Sequence, residues 1–190
     1  MAVTVNGTTG VSAVASGATI NTPTLVAPVL GTPTSGTLTN CTIPSSALPT
    51  GSVIQTVQMI TNTQTATSST TPTATAISLS ITPTSSSSKI LVMPNVQGIN
   101  KSANAASYGV HLYLYRGASS LYQYGLFIGY SGTTFNQLVV GGNAWMYLDS
   151  PATTSSVTYT IYLATSVATN GVAVNNNGDY STLTLMEIHG

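Results

Sequence analysis

Charge is what this sequence has least of. Only 3% of its 190 residues are Asp, Glu, Lys or Arg, three acids balanced by three bases, where an average soluble domain carries roughly 25%. Three cations cannot neutralise the roughly six to ten phosphates that a nucleic-acid binder contacts, so nucleic acid is excluded as a partner. Three carboxylates, Asp149, Asp179 and Glu187, leave little material for the paired carboxyl groups of glycoside hydrolysis. Asp149-Ser150-Pro151 and Gly178-Asp179 read instead as turns in which the carboxylate accepts local backbone hydrogen bonds. Serine is abundant, but no Gly-x-Ser-x-Gly elbow occurs. His111 falls mid-strand and His189 is the penultimate residue, so neither a nucleophilic triad nor a two-histidine metal site is expected. The expectation is a protein without catalytic residues, cofactor or metal.

Cysteine is nearly absent as well. Cys41 stands alone, which excludes an intrachain disulfide and a cysteine-rich metal site and leaves a small buried apolar residue. Long hydrophobic runs are missing although 42% of the residues are apolar. Ser, Thr, Asn and Gly break every run short of the roughly 18 residues that cross a bilayer, so membrane insertion is not expected. The stretch after Met1, AVTVNGTTGVSAV, lacks the basic start and apolar block of an export signal. A neutral surface poor in charge dissolves poorly. It suits a protein whose surface is buried in an assembly, or is covered by hydroxyls and amides.

What the sequence does have divides in two. Residues 1–51 are Thr, Ser, Gly, Asn, Pro and small aliphatics, with no aromatic and no charged side chain, and cannot build a core alone. Ser16-Gly17-x-x-x-Asn21 recurs as Ser35-Gly36-x-x-x-Asn40, and Thr22-Pro23-Thr24 as Thr32-Pro33-Thr34. Such turn residues at intervals fit an extended arm that completes its packing on neighbouring chains, or a low-complexity linker.

Residues 52–190 carry period-two patterns. Ile77, Leu79 and Ile81 alternate with Ser78 and Ser80; Val110, Leu112 and Leu114 with His111, Tyr113 and Tyr115; Ala144, Met146 and Leu148 with Trp145, Tyr147 and Asp149; Val157, Tyr159, Ile161 and Leu163 with Thr158, Thr160 and Tyr162. Thr82-Pro83-Thr84 and the serines at 85–88 read as a turn before a strand at Lys89-Ile90-Leu91-Val92-Met93, a hairpin-like connection. Gly-, Asn- and Ser-rich stretches at 117–120, 141–143, 150–156 and 175–179 punctuate the runs. No amphipathic helix of ten residues is found. The predicted fold is all-β: a C-terminal antiparallel β-sandwich, jelly-roll-like, behind an extended N-terminal arm.

Some strands show tyrosines where polar residues are usual. Tyr113 and Tyr115 beside His111, then Tyr122, Tyr124, Phe127, Tyr130, Trp145 and Tyr147, are candidate contacts. They could stack on sugar faces, or fill the core and a subunit interface, since a tyrosine buries its ring and keeps a hydrogen bond. Strict alternation from Leu183 and Leu185 turns Glu187 inward, where it needs a partner such as Arg116 or Lys89. A bulge near Met186 would turn it out.

The run Ala27-Pro28-Val29-Leu30-Gly31-Thr32-Pro33-Thr34-Ser35-Gly36-Thr37-Leu38-Thr39-Asn40-Cys41-Thr42 closely resembles a segment of tail-fibre and related structural proteins of tailed bacteriophages. The stretches from Leu79 to Val92, Tyr147 to Ser155 and Asn176 to Ile188 resemble a phage fibre head. The resemblance implies a homotrimeric structural protein of the virion, made in the host cytoplasm, with a slender arm contacting other virion proteins. Its head would bind a receptor, such as a host-surface glycan. The chain is short and lacks a long shaft, which leaves two locations: a tail fibre or fibre tip for host attachment, or a capsid decoration or head fibre on the shell.

Overall fold

The computed structural model describes residues 47–102, 106–131 and 139–190. The repeats and docking role expected of the arm fall almost wholly on residues 1–46, outside the described residues. The described residues contain eleven strands and no α-helix, so the fold is all-β. They are β1 (Val53–Thr61), β2 (Thr65–Thr67), β3 (Thr73–Ile81), β4 (Lys89–Lys101), β5 (Tyr108–Arg116), β6 (Ser119–Ser131), β7 (Val139–Ala144), β8 (Tyr147–Asp149), β9 (Val157–Thr165), β10 (Val172–Val174) and β11 (Ser181–Ile188).

Two antiparallel sheets form. One has the order β1-β11-β4, with β7 and β8 along the free side of β4 and the short β10 and β2 appended. The other is β3-β9-β5-β6. The pairings nest. β5 pairs with β6, β4 with β7 and β8, β3 with β9, and β1 with β11, all antiparallel. With β7 and β8 taken as one interrupted strand, residues 53–188 form one long hairpin whose main rungs go to alternate sheets, while the short β2–β10 rung stays in the sheet of β1 and β11. This wrapping is a jelly roll.

Pro94 explains the interruption. It lies inside β4, opposite Leu183 of β11, and its carbonyl accepts the Trp145 N–H at 3.3 Å, facing the β7–β8 side. A proline has no N–H to give on that side, and pairing breaks there, between Ala144 and Tyr147.

The core lies between the sheets. Ile90, Val92, Leu183 and Leu185 from one face Ile77, Leu112, Leu114, Ile161 and Leu163 from the other, all fully buried. Each such side chain contributes about 1.5–3 kcal/mol. The period-two readings of β3, β5 and β9 hold.

Three local expectations are corrected. β3 and β4 belong to different sheets, so the Thr82–Ser88 connection is a crossing and not a hairpin; each strand has its apolar face buried by the sheet opposite. Gly141–Asn143 is not punctuation but part of β7, paired with β4. Asp149 is no turn residue. It is buried, ion-paired with Arg116 at 2.6 Å and accepting the Tyr159 hydroxyl at 2.7 Å.

Glu187 turns inward, as alternation requires, and is fully buried. Its partners are neither Arg116 nor Lys89. Oε2 accepts Gln55 Nε2 at 2.6 Å, and Oε1 accepts the Thr84 N–H and hydroxyl, each at 2.7 Å. The register irregularity falls on β1, between Val53 and Gln55, and not at Met186. Burial pushes the pKa of this carboxyl up, but hydrogen bonding from Ser88, Gln55 and Thr84 outweighs that and holds it below the ordinary 4.5.

Candidate functional site

The aromatic side chains separate into three groups. Tyr113 and Tyr115 stand on the outer face of β5, half-buried. Tyr115 stacks on Tyr162 of β9, with centroids 3.9 Å apart. Beside them run hydroxyl pairs, Ser78 with Thr160 and Ser80 with Thr158, both at 2.7 Å. Burial pushes the Tyr113 pKa up, and the neighbouring Tyr115 adds to the shift.

Four other candidate residues meet in two stacked pairs across the mouth of the sandwich. Tyr122 of β6 stacks on Tyr147 of β8 at 5.7 Å, and Tyr124 of β6 on Trp145. Tyr124, Trp145 and Tyr147 pack against the core, and burial raises the Tyr124 pKa well above its ordinary value. These pairs link the edge of one sheet to the edge of the other, where no strand-to-strand hydrogen bond can.

The third group is open. Phe127 and Tyr130, 42% and 49% exposed, meet edge to face at 5.3 Å, and Phe127 meets the His111 ring in the same way at 4.9 Å. With Ser107 and Ser166 they line a cavity of about 450 Å³. Burial lowers the His111 pKa below its ordinary 6.5.

The backbone explains why the rings stand out. Opposite Tyr108, Val110 and Leu112, β6 supplies Ser131, Ile128 and Gly125, so it runs three residues for every two of β5. Such bulges re-aim side chains. Phe127 lies within one and has φ of 56°; Ser107 has φ of 55°. A bulky residue rarely adopts this region, and each instance costs on the order of 1–3 kcal/mol.

Gly109 holds the two sides of the cavity together. Its N–H donates to Ser166 Oγ at 2.8 Å, and its carbonyl accepts the Ser166 N–H at 3.1 Å. The Ser166 hydroxyl is thus fixed as an acceptor from protein, with its own proton free to donate. A Cβ on Gly109 would lie 2.8 Å from Phe127 Cα, so only glycine admits the β6 backbone here.

No family model matches the chain, and no curated protein does. Among solved structures, the VP2 subviral particle of infectious bursal disease virus is similar at 12% identity, with a TM-score of 0.36. The match covers 72% of this chain and 38% of that one.

Exposed ring faces beside hydroxyls, with no charged group among the described residues that line the cavity, fit a neutral ligand with alternating apolar and hydroxylated surface. A sugar ring has that character. Of the described residues singled out in the sequence, Tyr130 and Phe127 line this cavity. Ser107, Ser166 and the positioning Gly109 carried no signal in the sequence, because backbone conformation and a long-range bulge place them.

Proposed function

We propose that this chain is a non-enzymatic structural protein of a tailed-phage virion, a tail-fibre or fibre-tip subunit whose head attaches to a neutral host-surface glycan. One observation carries the binding half: Phe127 and Tyr130 stand exposed on strained or bulged backbone beside the clamped Ser166 hydroxyl. Backbone strain of that kind persists where function uses the geometry. Jelly rolls serve in both lectin domains and viral shells, which suits an attachment role. Of the three carboxylates, Asp149 and Glu187 are occupied by protein partners in the interior, which speaks against paired acids for glycoside hydrolysis. The virion origin, the trimer and the docking role of the arm rest on the resemblance of the APVLGTPTSGTLTNCT segment.

The test is binding of the purified 190-residue protein to an array of neutral glycans and to intact host cells. Phe127→Ala and Tyr130→Ala should each weaken binding about tenfold, the scale of one lost ring contact, with the melting temperature held. Equal binding by both variants would remove the site. Gold-labelled antibody on intact particles should mark the tail; label on the shell would favour a capsid decoration protein instead.

A further inference from the structure

Where β4, β10 and β2 lie side by side, a second cavity of about 490 Å³ opens on the outer face of the sheet, a size that suits a small-molecule site. Val172 and Val174 of β10 are buried in the core, so Ala173 points out, and its register partners Ala66 of β2 and Asn100 of β4 stand in the same row. Although it points outward, Ala173 is only 7% exposed. It forms the floor of the cavity with Ala66 beside it, and amides form the rim.

Gln64 and Asn176 supply two of those amides, and Gln64 Nε2 donates to Asn176 Oδ1 at 2.9 Å. Each amide has a donor end and an acceptor end. Whichever way the two are turned, this bond uses one end of each and leaves one donor beside one acceptor at the cavity. Asn175 holds the pair in place. It is buried in the left-handed conformation with φ of 54°, its N–H donates to the Gln97 carbonyl at 2.9 Å, and its Nδ2 donates to the carbonyl of Thr63, next to Gln64, at 3.0 Å. Gly98 admits this turn, since a Cβ there would lie 2.6 Å from the Asn176 nitrogen. Ser102 and Gly171 also line the cavity. The Gly171 carbonyl accepts the Ser102 N–H at 2.9 Å and the Tyr108 hydroxyl. Tyr108 follows Ser107, which lines the cavity of Phe127 and Tyr130, so one residue joins the linings of the two cavities.

We infer that this cavity takes the acetamido group of an N-acetylated hexosamine. The inference rests on the glycan-binding role proposed above and names the sugar class within it. An acetamido group presents one N–H, one carbonyl oxygen and one methyl. The first two match the acceptor and donor that Gln64 and Asn176 leave over, and the methyl seats on Ala173 and Ala66. A hydroxyl in its place cannot reach the amide pair and cover the alanines at once, so a plain hexose leaves part of the site unmatched. No charged group is among the described residues that line the cavity, so a carboxylated sugar or a phosphate finds no counter-ion there.

The test is an array of matched oligosaccharides, each N-acetylated chain printed beside the chain that carries a hydroxyl in place of the acetamido group, such as chitotetraose beside cellotetraose. In the pair bound most tightly, the full chain should prefer the N-acetylated member by about tenfold, the scale of one or two hydrogen bonds. Gln64→Ala should bring that ratio close to one with the melting temperature held, since Gln64 is exposed. Ala66→Leu, which fills the floor from an exposed position, should also abolish the preference and serves as a second, independent variant. Phe127→Ala should weaken both members alike and keep the ratio. Binding by the wild type without preference for the acetamido member would overturn the inference and leave glycan attachment standing. A preference that survives both Gln64→Ala and Ala66→Leu would overturn it as well. Failure to bind any pair would remove the attachment reading itself, and this inference with it.

Discussion

Glu187 accepts three hydrogen bonds at its two oxygens, one from Gln55 and two from Thr84. In Glu187→Gln the new amide must set an N–H against either Thr84 or Gln55. Gln55 cannot turn its amide over without giving up its bond to the Thr82 carbonyl. The substitution should cost about 1–3 kcal/mol, read from chemical denaturation at pH 7. Because the folded-state pKa lies below 4.5, this carboxylate stabilises the protein fully above the unfolded value. Its contribution is lost as pH falls below 4.5 and on through the folded value. The wild type should therefore lose stability on acidification in that window, and Glu187→Gln should lose measurably less of it there. Parallel acid limbs for the two proteins would refute this account. Alternation in the sequence made the inward direction of Glu187 legible. Its partners were not, since Gln55 and Thr84 are brought to it by the pairing of β1 with β11 and by the crossing from β3 to β4.

Among the elements, β6 does the most to shape the surface. Two of its bulges against β5 lift Phe127 and Tyr130 outward, and Gly109 opposite supplies the missing volume. Gly109→Ala should force the β6 backbone away from β5. It should lower stability by about 1–3 kcal/mol, as overpacking does, and weaken glycan binding by more than Tyr130→Ala, because Phe127 and Ser166 both move. Unchanged melting and binding together would show that Gly109 does not position the ring. Strands β5 and β9 could be read from their alternation almost residue by residue. The segment 144–149 could be read only as an alternation, because hydropathy nominates Met146 and Leu148 for the core. The structure puts Trp145, Tyr147 and Asp149 inward instead. Trp145 and Tyr147 close against Tyr124 and Tyr122, and Asp149 needs Arg116 and Tyr159.

At the scale of the whole molecule, the outermost rung of the hairpin joins Val53 to Ile188, and every inner rung but the β5–β6 turn also spans distant sequence. Loop closure must precede the contacts that reward it. Refolding from denaturant should accordingly take milliseconds to seconds or longer in stopped-flow fluorescence of Trp145; submillisecond recovery would contradict the nested order.

The sequence by itself determined the all-β character, the period of the strands, the scarcity of surface charge and the absence of cysteine pairing, because these follow from residue type and local spacing. Which strands are neighbours, which face of 144–149 is buried, and which tyrosines meet the solvent were decided by tertiary structure. Those outcomes depend on pairings between residues as much as 135 positions apart, Val53 with Ile188, which no local pattern encodes.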